Sequence, residues 1–215
     1  MTAKHCLEEG FVPTLFEGRK VYGGQWQYEE PDPITGEAQS SVYMGVTSNS
    51  CRDTSHFSDF PIDPSRYPDY YSHTLCARYI QEYVSHFGVE KYIRFNTRVE
   101  SCHQLPDGQW KVTAGGVEET YDALFVCTGK NTYPNTPPFN GLENFAGQLV
   151  HSHVYRRPDP FFGKRVAIIG FGSSSVDIAS EICSQAQSCH LVTRKGGWVM
   201  PRYMLGTPIE AWESM

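Results

Sequence analysis

The stretch from Arg165 to Arg194, opening RVAIIGFGSSSVDIASEI, constrains the fold most, because it spells a strand, a glycine turn, a helix and a second strand in succession. Val166, Ala167, Ile168 and Ile169 form an unbroken apolar run, which predicts a strand covered on both faces of a parallel sheet. Gly170 and Gly172 follow at the spacing of a dinucleotide fingerprint, in which the first glycine makes the tight turn and the second lets the backbone approach a pyrophosphate. The charge of such a group is met by the N–H groups and positive dipole end of the next helix. The fingerprint's third glycine is Ser175 here, which weakens GxGxxG to GxGxxS and predicts slightly looser helix–strand packing. Val176, Ala179, Ile182 and Cys183 recur at helical spacing and are expected to form the inner face of that helix. Cys189 to Thr193 (CHLVT) resumes as a strand and closes a unit of about 30 residues. A glycine turn that holds no ligand is the alternative reading of the same residues.

About 20 residues past the glycines, a carboxylate would take the ribose 2′-hydroxyl of NAD. Val192, Thr193 and Arg194 stand there instead. A guanidinium without a competing acid can clamp a phosphate through paired hydrogen bonds, so the pattern favours NADP over NAD. An ordinary solvated strand end at Arg194 and Lys195 is the alternative.

A length of 215 residues admits one large or two small domains, and 40% hydrophobic content is enough for a buried core. The net charge of −6, with basic residues scattered along the chain, argues against a nucleic-acid partner. No run approaches the ~18 apolar residues of a membrane span, and the start MTAKHCLEEG lacks the apolar centre of a signal peptide. The seven cysteines include no CxxC, so reduced and mostly buried thiols of a cytoplasmic protein are expected. His151 and His153 form an HxH without further ligands at metal spacing, and no metal is expected.

Taken in order, residues 2–9 predict a helix stopped at Gly10, and Val12 to Phe16 a strand ending in Glu17. An acid at the tip of a strand after a helix suits an adenosine ribose, and a plain strand-end charge is the alternative. Counting back from Glu17 puts the matching glycines before Met1, so the first phosphate loop is expected to be missing from this chain. Gly23 to Trp26 predicts a tight turn and residues 29–40 a polar surface loop, while the small polar residues from Ser41 onward suit a pocket lining. Thr74 to Phe87 is an amphipathic helix with Leu75, Tyr79, Ile80, Tyr83, Val84 and Phe87 inward and Gly88 as its stop. Strands are expected at Tyr92–Val99, Trp110–Ala114 and Val117–Tyr121, with turns at Pro106–Gly108 and Gly115–Gly116. Asp122 to Cys127 (DALFVC) predicts another buried strand running into Thr128 and Gly129.

These residues together carry a family resemblance. FAGQLVHSHVY places Phe145, Gly147, His151 and Tyr155 on the FxGxxxHxxxY signature of the flavin-containing monooxygenases, just before the second glycine turn. Baeyer–Villiger relatives carry Trp at the last position, so Tyr155 resembles the N- and S-oxygenating branch. FEGRKVYGGQW, TSNSCRD…FSDFP and Cys127-Thr128-Gly129 resemble further segments of that family in the family's order, while Ser173 and Ser175 depart from its usual Asn and Gly.

The resemblance implies an α/β fold of two Rossmann-like dinucleotide-binding units, for FAD and NADP, both incomplete. Residues 1–157 would be an FAD domain lacking its first strand and glycine loop, and 158–215 the first part of an NADP domain. It implies FAD contacts from Glu17, Gln25, Trp26, Asn49 and Ser50, with Thr128 and Gly129 at the second flavoprotein turn. NADP would lie on Gly170, Gly172, Ser174, Ser175, Val176 and Asp177, with Thr193 and Arg194 at the 2′-phosphate and Ser48 and Asn49 toward the nicotinamide. His151 is expected to buttress the linker between the units. In that chemistry NADPH reduces FAD, and the reduced flavin passes one atom of O2 to a soft amine or sulfide. The cofactor carries the reaction, which accounts for the lack of a catalytic triad or paired carboxylates. Asn49 suits the flavin–nicotinamide junction because a neutral amide donates and accepts hydrogen bonds without delivering a proton. Association with the endoplasmic reticulum is implied by the resemblance alone. A catalytically silent NADP-binding or interaction fragment is the other reading; a flavin disulfide reductase lacks its cysteine pair.

Overall fold

The structure, a computed structural model, describes residues 1–213 and is mixed α/β; the last two residues of the 158–215 stretch lie outside the described residues. Along the chain run α1 (Thr2–Glu8), β1 (Leu15–Phe16), α2 (Arg52–Ser55), α3 (His73–His86), β2 (Ile93–Arg94), β3 (Val99–Gln104), β4 (Trp110–Ala114) and β5 (Val117–Tyr121). These are followed by β6 (Arg165–Ile169), α4 (Ser173–Ile182), β7 (Ser188–Val192), β8 (Tyr203–Met204), β9 (Thr207–Pro208) and α5 (Ile209–Glu213). The chain gathers into two units, Met1–Gly24 with Arg78–Gly129, and Gln25–Ala77 with the residues from Lys130 onward.

In the first unit, α1 stops where the glycine demands. Gly10 has φ 83°, its N–H reaches the Leu7 carbonyl, and the Phe11 N–H reaches back to Cys6 at 2.8 Å. The same pair of bonds ends α3, where Gly88 has φ 61° and the Val89 N–H meets the Val84 carbonyl at 3.0 Å. Tyr83 before that stop and Val89 after it are buried, and the Tyr83 and Phe87 ring centres lie 4.6 Å apart. β1 pairs in parallel with β2, Leu15 against Ile93, and is shorter than the run Val12–Phe16 predicts, with Val12 83% exposed. Likewise only Ile93 and Arg94 of the expected Tyr92–Val99 strand are paired there. Asn96 takes φ 52°, a left-handed kink that ends the strand, and Val99 opens β3.

β3, β4 and β5 form an antiparallel meander. Gly115 and Gly116, at φ 57° and 76°, supply the two positive angles of the tightest hairpin turn between β4 and β5. The central strand β4 buries Val112 and Ala114. The following run Asp122–Cys127 is neither strand nor buried, a correction to the expected buried strand: Phe125 is 62% and Val126 72% exposed. Among the described residues no strand lies beside it to take its backbone groups, so its apolar side chains have no sheet to be buried in.

In the second unit, β6 and β7 pair in parallel from Arg165–Ser188 to Ile169–Val192, with α4 as the crossover. Val166 and Ile168 face Ile178, Ile182, Tyr43 and Tyr155, whereas Ile169 is exposed. β6 is thus covered on one face, not on both as its apolar run predicts. Of the expected inner face of α4, Ile182 is buried and Val176 and Ala179 are half-buried, Ile178 is buried beside them, and Cys183 is exposed. Burying one such isoleucine contributes about 1.5–3 kcal/mol, so this stripe holds the helix against β6.

The segment after Ser41 is partly core, with Met44 and Asn49 exposed between its buried residues. Val42, Tyr43 and Cys51 are buried, as are Tyr67, Tyr70 and Tyr71, and Tyr67 meets Tyr71 edge-on at 5.9 Å. The polar loop 29–40 is mostly at the surface but ends in the fully buried Ser40. All seven cysteines are free thiols, and only Cys51 and Cys76 are buried. Burial pushes the Cys76 thiol up to about 12, leaving it without thiolate at neutral pH.

Candidate functional site

The centre of the second unit is the turn from β6 into α4. Gly170 has φ 125°, a conformation that side chains rarely adopt, and its N–H bonds the Val192 carbonyl at 2.9 Å, tying the turn to the end of β7. Gly172 is the N-cap residue of α4 and brings no side-chain cap to the first-turn N–H groups. A Cβ built on it would meet nothing within 4 Å. Ser175, at the third fingerprint position, donates its hydroxyl to the Gly172 carbonyl at 2.7 Å. That bond keeps Ser175 within its own helix, and the substitution leaves the glycine turn intact. The arrangement fits a phosphate group, with uncapped donors at the positive end of a ten-residue helix behind a glycine turn.

Around this turn stand other residues singled out by the sequence. The Asn49 amide reaches the Ser173 hydroxyl at 3.4 Å, which places Asn49 beside the first residue of α4. Ser48 is buried, its N–H bonding the Tyr71 carbonyl at 2.8 Å and its hydroxyl accepting from the Tyr71 N–H at 3.0 Å. The Ser48 side chain is therefore committed inward and fixes the turn that presents Asn49. Ser50 accepts the Ser55 hydroxyl on its carbonyl at 3.4 Å. Gln25 accepts the Ser40 hydroxyl on its carbonyl at 2.7 Å, and Trp26 lies half-buried in a single 3-10 turn, Gly24–Trp26. At the end of β7, Thr193 accepts the Gly196 N–H at 3.0 Å, and Arg194 is exposed with no ion pair among the described residues.

The signature residues divide between packing and capping. Tyr155 is buried, donates to Glu181 at 2.7 Å and meets the Tyr43 ring edge-on at 5.4 Å. Tyr43 in turn donates to Asp177 at 2.9 Å. Burial first, and then the neighbouring carboxylates, hold both phenols far above their ordinary range, so both remain hydroxyl donors. The Phe145 ring lies over Gly147, where any Cβ would come within 2.5 Å of it. His151 caps the turn Ser152–Val154 by accepting the His153 N–H at 3.0 Å. The more buried histidine is His153, held by Ser41 at 2.6 Å and by the Ala38 carbonyl at 2.7 Å.

One residue escaped the sequence reading. Arg156 is 4% exposed and donates to the carbonyls of Glu29, His153, Tyr155 and Ser40 at 2.6–2.9 Å. The only signal available was its position directly after Tyr155.

Glu17 directly follows β1 and its carboxylate accepts the Arg19 N–H at 2.9 Å, with the Arg19 guanidinium at 3.8 Å. Thr128 and Gly129 are exposed, with Gly129 at φ 78°.

Residues 1–211 match the Flavin-binding monooxygenase-like family, and the chain belongs to it. It is 39% identical to the N-oxide-forming dimethylaniline monooxygenase 4 of Rattus norvegicus, over 94% of this chain and 37% of that protein. It is 41% identical to the flavin-containing monooxygenase 1 of Homo sapiens, over 93% of this chain and 38% of that protein. Its backbone resembles the structure of S-allyl-L-cysteine S-oxygenase from Allium sativum with a TM-score of 0.82 and 30% identity, over 95% of this chain and 51% of that one. The chain thus spans less than two-fifths of the length of these two curated relatives. Among the described residues no helix is long and apolar enough to cross a membrane.

Proposed function

We propose that this chain is part of a flavin-dependent monooxygenase that uses FAD, NADPH and O2 to oxygenate soft nitrogen or sulfur atoms of small molecules. The observation that supports it most is the Gly170–Gly172 turn feeding the uncapped N-terminus of α4 within a chain of this family. On this reading the chain holds parts of two Rossmann-type units, an FAD domain over 1–157 and the start of an NADP domain from 158. FAD, when bound, supplies the electron and oxygen chemistry, and the residues supply orientation and contacts.

Glu17 would accept the hydroxyls of an adenosine ribose, its carboxylate kept in place by the Arg19 backbone. Gln25, Trp26, Asn49 and Ser50 would line the flavin side, and Thr128 and Gly129 the second flavoprotein turn. Gly170, Gly172, Ser174, Ser175 and Val176 would carry the NADP pyrophosphate, chiefly through backbone N–H groups. Asp177 belongs to the same turn of helix, but its side chain is already engaged by Tyr43. Asn49 is the residue suited to bridge flavin and nicotinamide, with Ser48 holding it from behind. Thr193 and Arg194 would meet the 2′-phosphate.

The test is calorimetric binding of NADP+ and NAD+ to this protein and to its Arg194→Ala variant. One charge-assisted phosphate contact predicts a roughly tenfold to hundredfold preference for NADP+, lost in the variant. Equal affinity of the unaltered protein for the two nucleotides would refute the 2′-phosphate assignment.

A further inference from the structure

Two tyrosines reach helix α4 from outside the glycine turn and take hold of it by carboxylates one helical turn apart. Tyr43 donates to Asp177 at 2.9 Å and Tyr155 to Glu181 at 2.7 Å. Residues four apart lie on one face of a helix, so the two bonds act along a single line parallel to its axis. The rings sit edge-on to each other at 5.4 Å and pack on Ile178 and Ile182 from the same side. The grip leaves little room: a Cβ at Gly45 would stand 1.7 Å from the Glu181 Oε1. Gly45 is thus small because the carboxylate that Tyr155 holds occupies the space beside it.

From this geometry we infer that Tyr43 and Tyr155 are positioning residues that set the aim of the phosphate-binding turn, with Gly45 as the clearance that permits it. The inference rests on the nucleotide reading of the Gly170 turn given above. An aliphatic stripe alone lets a helix slide or rotate by small amounts, since apolar contacts are non-directional. Two short hydrogen bonds to charged acceptors fix both rotation and translation. Because the first-turn N–H groups point along the helix axis, an error in that axis moves all of them together relative to a bound pyrophosphate.

Tyr43→Phe and Tyr155→Phe keep the rings and remove only the hydroxyls, while Gly45→Ala displaces Glu181 and removes no bonding group. Amide hydrogen exchange is measured across 165–192 in each variant, together with NADP+ affinity by calorimetry and the melting temperature. The expected result is faster exchange in the first turn of α4, and NADP+ affinity weakened about three- to thirtyfold. β6, whose ladder to β7 is untouched, should keep its exchange rates. Gly45→Ala should move in the same direction as Tyr155→Phe, and combining the two should add little. A lowered melting temperature with unchanged α4 exchange and unchanged NADP+ affinity would mean the hydroxyls serve general stability, and would overturn the inference. Failure of the unaltered protein to bind NADP+ would instead count against the nucleotide reading, and the exchange of α4 would still decide whether the tyrosines hold it.

Discussion

The meander β3–β4–β5 and the segment β6–α4–β7 are built from strands of nearly equal length, yet they meet opposite conditions. In the meander every strand finds its partner through a short turn, and β4 has neighbours on both edges. In the parallel segment the partner arrives only after a helix, and each strand has one neighbour among the described residues. The difference shows in mid-strand, where Val112 of β4 is 1% exposed and β6 buries no residue fully, while strand ends are open in both, with Val117 at 59% and Ile169 at 58%. Unbroken apolar runs therefore report what a strand is able to bury, whereas the alternation within β4 reports what it does bury.

Removing one isoleucine from each side of the β6–α4–β7 segment has the largest expected effect. Ile182→Ala, at a site 1% exposed, should cost about 2–5 kcal/mol, and Ile169→Ala should stay within about 0.5 kcal/mol. Urea unfolding of the two variants decides it, and equal losses would show that the outer face of β6 is covered in solution. A smaller effect is expected from Gly115→Val, which forces a β-branched residue into φ 57° and should destabilise the hairpin by about 1–2 kcal/mol. Faster amide exchange in β4 and β5, with β6 and β7 unaffected, would confirm that the meander is closed locally.

The smallest effect concerns His73, in the same unit as β6–α4–β7. It is buried against the Tyr28 ring at 5.8 Å, and burial lowers its pKa below the ordinary 6.5. The folded protein then binds fewer protons than the unfolded chain between the lowered value and 6.5, so stability falls as pH drops through that window and is unaffected above it. His73→Gln should flatten the decline below about pH 6.5 in urea midpoints measured between pH 7.5 and 5. An unchanged slope would show that His73 is not the titrating group.

Much of the fold was legible. β4 and β5, the helix ended by Gly88, and the strand–turn–helix–strand around Gly170 follow from alternation, glycine placement and helical spacing. What was not legible has a common physical cause, which is that it depends on groups distant in the chain. β3 is mostly exposed on both faces and carries no apolar alternation to announce itself. The burial of Tyr43 depends on α4, and Arg156 is held by carbonyls from residues 29, 40, 153 and 155. Of the candidate site, the glycine turn was visible because its geometry needs particular residues. The inward commitment of Ser48 and Asp177 was not, since a hydroxyl or carboxylate suits a ligand and a neighbouring backbone equally well.

The bond between Tyr43 and Asp177 also has a consequence in time. Its ends are 134 residues apart, against a single tight turn for the strands of the meander, and long loops close more slowly than short ones. At synthesis rates of about 5–20 residues per second, Tyr43 leaves the ribosome on the order of ten seconds before Asp177 exists. Arg156 is in a similar position toward the Glu29 carbonyl, 127 residues upstream. During that interval the Tyr43 ring is apolar surface whose cover, Ile178 and Ile182, has not yet been made. The Gly170 turn and both strands beside it lie within residues 165–192, whereas the tyrosine that grips α4 comes from the oldest part of the unit.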